Sequence, residues 1–451
     1  MSFLTIFACM KRHILQKLQV WRASSGRKPL VIQGVRQCGK TYILQEFGKT
    51  FRQCHYFNFE KQADLAELFK KNLEPKRILL ELEYASKQAI DIQQDLVIFD
   101  EIQACSKALT SLKYFNEELP ELALCSAGSL LGLSLNHASF PVGNVNLLNM
   151  YPLSFSEFLL ALNELQLYEL IQYCHANTEI PLMAHQQLWE KMQWYWIVGG
   201  LPEVINVFNR NKENLFTAFQ TARDKQHEIL YTYHADIAKH SGKINALHID
   251  RVWQATPTQL ARTQDGAANK FKFKDILPGA ARYDRLAGAI DWLQAANLII
   301  KVPIVNSAEI PLSAYTQESA FKLFMFDVGL LGAMSDLPIK SILDHDYGTY
   351  KGFFAENFVA QELLAAGYSH LFCWQSNRAE VEFLLTLEDG VIPIEVKSGW
   401  ITRAKSLQQV IEKYHPPYAV IMSGHPLKIN RSNKIHYYPL YLAGKFPLSP
   451  F

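Results

Sequence analysis

Eight residues, Gly34-Val35-Arg36-Gln37-Cys38-Gly39-Lys40-Thr41, constrain this chain more than any other stretch. They follow a short apolar run, Leu30-Val31-Ile32, and precede a helical pattern that opens on Tyr42. The spacing G-x-x-x-x-G-K-T between a strand and a helix is that of a phosphate cradle. Glycines let successive backbone N–H groups wrap an anion, and the helix N-terminus adds its dipole. Lys40 is placed to reach β- and γ-phosphates, and the Thr41 hydroxyl to ligate Mg²⁺. Residues 34–42, Tyr42 included, are the expected nucleotide-binding stretch, with ATP or ADP and Mg²⁺ as the bound species.

A second signal lies at Asp95-Leu96-Val97-Ile98-Phe99-Asp100-Glu101. Four consecutive apolar residues read as a buried strand of a parallel sheet. At its carboxyl end Asp100 is expected to hold Mg²⁺ through water, and Glu101 to orient the attacking water as general base. A third strand begins near residue 121, in ELALCSAGSLL, and ends in Ser126 and Ser129. Ser129 is the better placed to touch the γ-phosphate or the water. An ordinary strand-end turn is the alternative, since Gly and Ser are common there. The catalytic candidates are thus Glu101, Lys40 and Ser129, and the metal candidates Thr41 and Asp100.

Composition limits the partners. The chain has 45 Lys and Arg against 43 Asp and Glu, so no global cationic field argues for nucleic acid. Seven cysteines without a C-x-x-C pair fit free thiols in a reducing cytosol. The apolar opening MSFLTIFACM lacks a basic start and a cleavage site, so no signal peptide is expected, and Met10 reads as a natural start. No stretch approaches the roughly 18 apolar residues of a membrane span. The expected location is cytoplasmic.

Taken together, the motifs resemble one family: bacterial and archaeal AAA-type ATPases joined to a C-terminal region of unknown function. The likeness runs over nearly the whole chain from Met10. It rests on GVRQCGKT, VIFDEIQ, NMYPLSFSEFL (149–159), GGLPEV (199–204), ARYDRLAGAIDWLQAANLI, FKLFMFDVGLL and GFFAENFVAQEL, in that order. The resemblance implies a nucleotide-binding α/β fold with a parallel sheet and a helical lid. One departure stands out: Gly143-Asn144 occupies the place where the family carries Gly-Arg. An arginine that stabilises transition-state charge can be worth roughly 10³–10⁵ in rate. A ring in which a neighbour supplies that arginine and a monomer are both compatible with the sequence.

The expected organisation is an N-terminal helix and extension (1–22), a P-loop AAA-type domain (23–150) and a helical lid (151–215). A winged-helix-like module (216–335) and a restriction-endonuclease-like α/β domain (336–451) follow. The winged-helix reading rests on a helical stripe, Leu286, Ile290 and Leu293, an ending at Asn297, and a strand pair after it. Lys270, Lys272, Lys274, Arg282 and Arg285 flank it, as phosphate contacts to double-stranded DNA or as a solvated basic face.

In the C-terminal part, Glu356 lies on the core-facing stripe of a helix, where an unpartnered carboxylate is unusual. AEVEFLLTL (379–387), the turn Glu388-Asp389-Gly390, and Ile392-Pro393-Ile394-Glu395-Val396-Lys397 read as a hairpin. That turn brings Glu382 towards Glu395. Glu356, Glu382, Glu395 and Lys397 resemble the restriction-endonuclease-like pattern (D/E)…E-x-K with an upstream helical Glu. The resemblance implies two carboxylates on Mg²⁺ and a lysine that polarises the water or the scissile phosphate. Glu382 stands where the pattern has Asp, which displaces the carboxylate by about an ångström from what octahedral Mg²⁺ demands. A simple Glu395–Lys397 ion pair is the bland alternative.

Two functions follow, and a third, a true nuclease gated by ATP, rests on Glu382 being competent. The first is Mg-dependent ATP hydrolysis, coupled to lid and C-terminal motion, on or with DNA. The second is a slow nucleotide switch that docks a protein partner and carries an inactive nuclease-like domain.

Overall fold

The computed structural model describes residues 10–129, 140–240, 243–261, 270–273, 276, 283–346, 348, 350–376, 379–400, 404–430 and 432–449. The chain divides into two units, one spanning Lys11–Tyr151 and the other taking in Pro152–Gln294 and Leu298–Phe451.

The first unit is built on five strands: β1 (Leu30–Gln33), β2 (Cys54–Asn58), β3 (Leu96–Asp100), β4 (Ala123–Gly128) and β5 (Asn146–Asn149). Their order is β2-β3-β4-β1-β5, and every pairing is parallel. Helices α1 (Ile14–Ala23), α2 (Lys40–Gly48), α3 (Leu65–Leu68), α4 (Pro75–Ser86) and α5 (Ser106–Glu118) belong to the same unit. A sheet covered on both faces needs strands without polar alternation, and β3 is buried at all five positions. Phe59, Phe69 and Phe115 meet Phe99 edge-on at ring-centroid distances of 5.4, 6.0 and 6.1 Å. The order places β4 between β1 and β3. The carboxyl ends of these three strands, which carry Gly34, Asp100 and Ser129, therefore open at one edge of the sheet.

The second unit begins with helices α6 (Phe155–Ala161), α7 (Leu165–Gln172), α8 (Leu182–Val198), α9 (Pro202–Arg210), α10 (Leu215–His240), α11 (Lys243–Ala261) and α12 (Ala287–Ala295). Strands β6 (Ile299–Val305) and β7 (Thr316–Met325) follow, then α13 (Val328–Met334), α14 (Ile339–Leu343) and α15 (Tyr350–Ala366). The chain continues through β8 (Phe372–Ser376), β9 (Ala379–Leu387), β10 (Gly390–Val396), α16 (Lys405–Tyr414), β11 (Ala419–Ser423) and β12 (Ile435–Pro439). The seven strands form one sheet in the order β12-β11-β10-β9-β8-β6-β7.

This sheet corrects the expected boundary at residues 335 and 336. β6 and β7 pair antiparallel, as a wing would, but β6 also runs parallel to β8, with Ile304 opposite Cys373 and Val305 opposite Trp374. A free wing faces water on one side. In β6, by contrast, Ile299, Ile300, Val302, Ile304 and Val305 are all buried. The hairpin therefore completes the C-terminal sheet. Asn297, expected at the helix end, takes a positive φ of 59°, which Asn tolerates better than most residues.

Two of the family-like blocks prove to be joints within this unit. Asp327 caps α13 by accepting from Leu330 N–H at 3.0 Å, and it accepts Gly200 N–H at 2.7 Å. Gly199 sits at φ 75°, and a Cβ there would lie 2.2 Å from Asp327 Oδ1. GGLPEV and FDVGLL thus hold each other. Likewise Ser154 and Glu157 form a capping box on α6, while Glu362 of α15 accepts the Phe155 N–H at 2.8 Å.

Glu362 yields a stability prediction. Burial pushes its carboxyl up to about 8, the Phe155 N–H notwithstanding, against an ordinary 4.5. In the unfolded chain it ionises near the ordinary value, so between these limits the folded state holds the extra proton and stability falls as pH rises. Glu362→Gln keeps an acceptor for Phe155 N–H and has no proton to lose. The variant should gain in melting temperature relative to the parent as pH rises from about 5 to 8, in paired thermal scans. A difference that stays flat over this range would contradict the assignment.

Candidate functional site

The phosphate cradle is assembled by backbone strain at defined points. Gly34 follows β1 and packs against the chain after β5, where a Cβ would meet the Met150 carbonyl oxygen at 2.2 Å. Gln37 and Gly39 take positive φ values of 62° and 96°, which turn successive N–H groups to one side before α2 begins. Val35 and Cys38 are buried beneath the loop. Lys40, also buried, donates from Nζ to Gly34 O at 2.9 Å and to Val35 O at 2.8 Å, so its ammonium stands inside the loop it is expected to serve.

Asp100 is the centre of the site. Its Oδ2 accepts from Thr41 Oγ1 at 2.8 Å, Tyr56 OH at 2.6 Å and Asn58 Nδ2 at 3.3 Å. Its Oδ1 accepts the Glu101 N–H at 3.1 Å. Tyr56 and Asn58 share a face of β2, and Asn58 lies opposite Asp100 in the parallel register. The expected metal residues, Thr41 and Asp100, are thus in direct contact. A hydroxyl and a carboxylate on a rigid strand-helix frame are hard oxygen donors that fit Mg²⁺.

Glu101 departs from the strand at φ 49°, which turns its side chain away from the Asp100 face. There it accepts from Gln103 Nε2, and from Ser129 Oγ at 3.4 Å. Ser129 in turn accepts from Arg36 Nε at 3.2 Å. Ser126 instead donates to Leu30 O at 3.1 Å inside the sheet. Of the two serines, Ser129 is thus the one bonded to Glu101. Asn144 bonds its side chain to Asn116 at 3.0 Å and supplies no charge.

Arg12 was not foreseen. It is buried, and it donates from Nη1 to Cys38 O at 3.0 Å and from Nη2 to Tyr151 O at 2.8 Å. It braces the cradle from outside the motif. A lone arginine just before a helix carries no sequence signal for that role. Gln103, Tyr56 and Asn58 were also missed.

A family model described as an AAA domain matches residues 26–159. This part of the chain is similar to an AAA domain. Two further models, both described as domains of unknown function (DUF8612 and DUF4143), match residues 190–341 and 351–442. Among curated proteins none matches. Solved structures that resemble the chain include a Walker-type ATPase of Pyrococcus abyssi, 14% identical, covering 72% of this chain and 96% of that one with a TM-score of 0.43. DnaA of Aquifex aeolicus bound to AMPPCP is 18% identical, covering 62% and 86% with a TM-score of 0.28. The Orc1 protein of Aeropyrum pernix in complex with DNA is 13% identical, covering 73% and 92%, also at 0.28. At these scores the likeness is loose. No described helix is long and apolar enough to cross a membrane, and the six described cysteines are free.

The second unit gathers the expected carboxylates. Phe383 of β9 lies opposite Ile394 of β10, so the next pair in register is Glu382 and Glu395. Glu382 accepts the Val396 N–H at 2.9 Å, and Glu395 takes the Lys397 ammonium. Glu356 of α15 meets a residue that sequence reading did not single out: Lys322 of β7 donates to its Oε2 at 3.0 Å and also pairs with Glu380. The signal for Glu380 was its parity, since it lies two residues before Glu382 and shares its face. For Lys322 it was a charge inside an apolar strand.

Four carboxylates therefore meet two ammonium groups. Burial, then repulsion from Glu395 and Glu356, holds the Glu382 carboxyl well above the ordinary range. Burial alone would lower Lys322, but Glu356 and Glu380 more than offset it, so it stays charged. Among the described residues no three His, Cys, Asp or Glu side chains are placed to hold a metal ion. The four expected residues are brought together, but as an ion-pair network. Of the basic residues near α12, Lys270, Lys272 and Arg285 are exposed, while Lys274 and Arg282 lie outside the described residues.

The brace from Arg12 is testable. Arg12→Ala removes two hydrogen bonds, one to the buried Cys38 carbonyl and one to the part-buried Tyr151 carbonyl, which should cost about 1–3 kcal/mol of stability, most of it from the orphaned buried group. It should also weaken nucleotide binding. Chemical denaturation and a fluorescent-nucleotide titration check both effects, and unchanged affinity would show that the brace does not reach the cradle.

Proposed function

We propose that the protein is a Mg²⁺-dependent ATPase, and the observation that carries this reading is the contact of Thr41 with Asp100 beside a separately held Glu101. Loop N–H groups and Lys40 bind the phosphates. Thr41 and Asp100 would hold the metal, which would supply positive charge against the phosphates. Glu101 accepts a proton from the attacking water. Gln103 and Ser129 orient its carboxylate, and Arg36 orients Ser129. Exposed Lys270, Lys272 and Arg285 support DNA as the polymer on which the protein acts, within the cytoplasm.

A second reading is a slow nucleotide switch that docks a protein partner. It is favoured by Asn144, which supplies no charge where the resembling family has an arginine, and by the ion-pair network in the second unit.

Steady-state ATP turnover of the wild type and Glu101→Gln, with and without double-stranded DNA, separates the readings. The ATPase reading expects Glu101→Gln to bind ATP normally and turn over about 10²–10⁴-fold more slowly, the usual worth of a positioned general base. It also expects DNA to stimulate the wild type. Tight binding without turnover, indifferent to DNA, is the result of a switch. Equal turnover by both proteins rejects Glu101 as base. Ser129→Ala should lower kcat with little change in the Kd for ATP, because it acts on Glu101 rather than on the phosphates. A parallel loss of affinity in a nucleotide titration would assign Ser129 to binding instead.

A further inference from the structure

The network in the second unit supports a conclusion that is independent of ATP hydrolysis. A nuclease of the pattern described above needs two or three carboxylate oxygens free to take a divalent ion, and a single lysine beside it. Here there are two lysines. Lys397 is in its expected place against Glu395. Lys322 has no counterpart in that pattern. Its side chain is fully buried and bridges Glu356, the helical carboxylate, to Glu380. Glu382 is engaged by the Val396 backbone. Each carboxylate of the pattern is thus held by an ammonium or a backbone donor of the chain itself. Only Glu395 Oε2 is a buried carboxylate oxygen without a hydrogen-bond partner among the described residues, one atom where a hard cation takes six or more oxygen ligands, water included.

We propose that Lys322 is the resident cation of this cluster, and that its ammonium holds the carboxylates together in place of a divalent metal. A lysine tethered in a strand is always present at unit occupancy, so the cluster does not depend on metal supply. It also satisfies Glu356 and Glu380 without the octahedral geometry that Mg²⁺ imposes. An ammonium cannot lower the pKa of a bound water as a metal does, so this site generates no metal hydroxide for phosphodiester cleavage. The second unit then uses the nuclease-like arrangement as an internal clamp between β7, α15, β9 and β10.

The test uses the full chain, free of nucleotide, titrated with Mn²⁺ and followed by electron paramagnetic resonance. Glu382→Gln serves as the reference that reports whether a bound ion belongs to this cluster. Wild type and Glu382→Gln should bind Mn²⁺ identically over the micromolar to millimolar range. Lys322→Ala, which removes the resident charge, should gain one Mn²⁺ per chain, and Lys322→Ala with Glu382→Gln should lose it again. Lys322→Met, which retains most of the side-chain volume, repeats the comparison if the alanine variant fails to fold. One Mn²⁺ bound by the wild type and abolished by Glu382→Gln would overturn the proposal. So would folded Lys322 variants that gain no ion, because the lysine would then not be what excludes it. Failure of Glu101→Gln to slow ATP turnover would leave this result untouched, since the two sites share no residue.

Discussion

The contact between Thr41 and Asp100 depends on the order of five parallel strands. Thr41 opens the helix after β1, and Asp100 ends β3, two strands away, with β4 between them. A parallel sheet buried on both faces holds these three strand ends in place. The apolar faces of β1, β3 and β4 therefore position Lys40, Asp100 and Ser129. Tyr56, Asn58 and Arg12 then lock the polar atoms that this placement exposes. A buried carboxylate is costly unless hydrogen-bonded, and Asp100 accepts four hydrogen bonds from the surrounding chain.

The same rule organises the second unit, with a different outcome. Asp327 and Glu362 are buried carboxylates held by backbone N–H groups at the starts of helices, and they join segments far apart in sequence. In the cluster at β7, α15, β9 and β10 the donors are two lysines and the Val396 N–H. All three arrangements solve the problem of a buried carboxylate, and only at Asp100 are the carboxylate's partners those of a phosphate cradle. Polar residues in the conspicuous blocks GGLPEV, NMYPLSFSEFL and FDVGLL thus serve as joints.

The phosphate cradle was legible because its chemistry is local. Eight consecutive residues supply the turn, the amide groups, the ammonium and the hydroxyl. The Asp100-Glu101 pair was legible because an apolar run ending in two acids has few other readings after such a loop. The hairpin carrying Glu382 and Glu395 was legible from alternation and a turn. The wing was misplaced because a strand's sequence shows that it is buried but does not name its neighbour, and β8 lies some 70 residues beyond β6. Lys322 was passed over for the same reason. Whether a buried lysine is a surface accident or the centre of a network depends on what lies across the sheet and above it.

By itself, the sequence determined the chemistry of the candidate nucleotide site and the identity of the carboxylates that converge in the C-terminal part, because short-range spacing and period-two alternation are properties of the chain alone. Tertiary structure decided which side chains brace those groups. Arg12 reaches the cradle from 26 residues away, and Lys322 reaches Glu356 from 34. Such pairings depend on strand order and helix packing, and no local pattern encodes them. That is why Glu356 and Glu395, which read as part of a metal site in sequence, stand in the folded protein as partners of ammonium groups, and Glu382 as partner of the Val396 N–H.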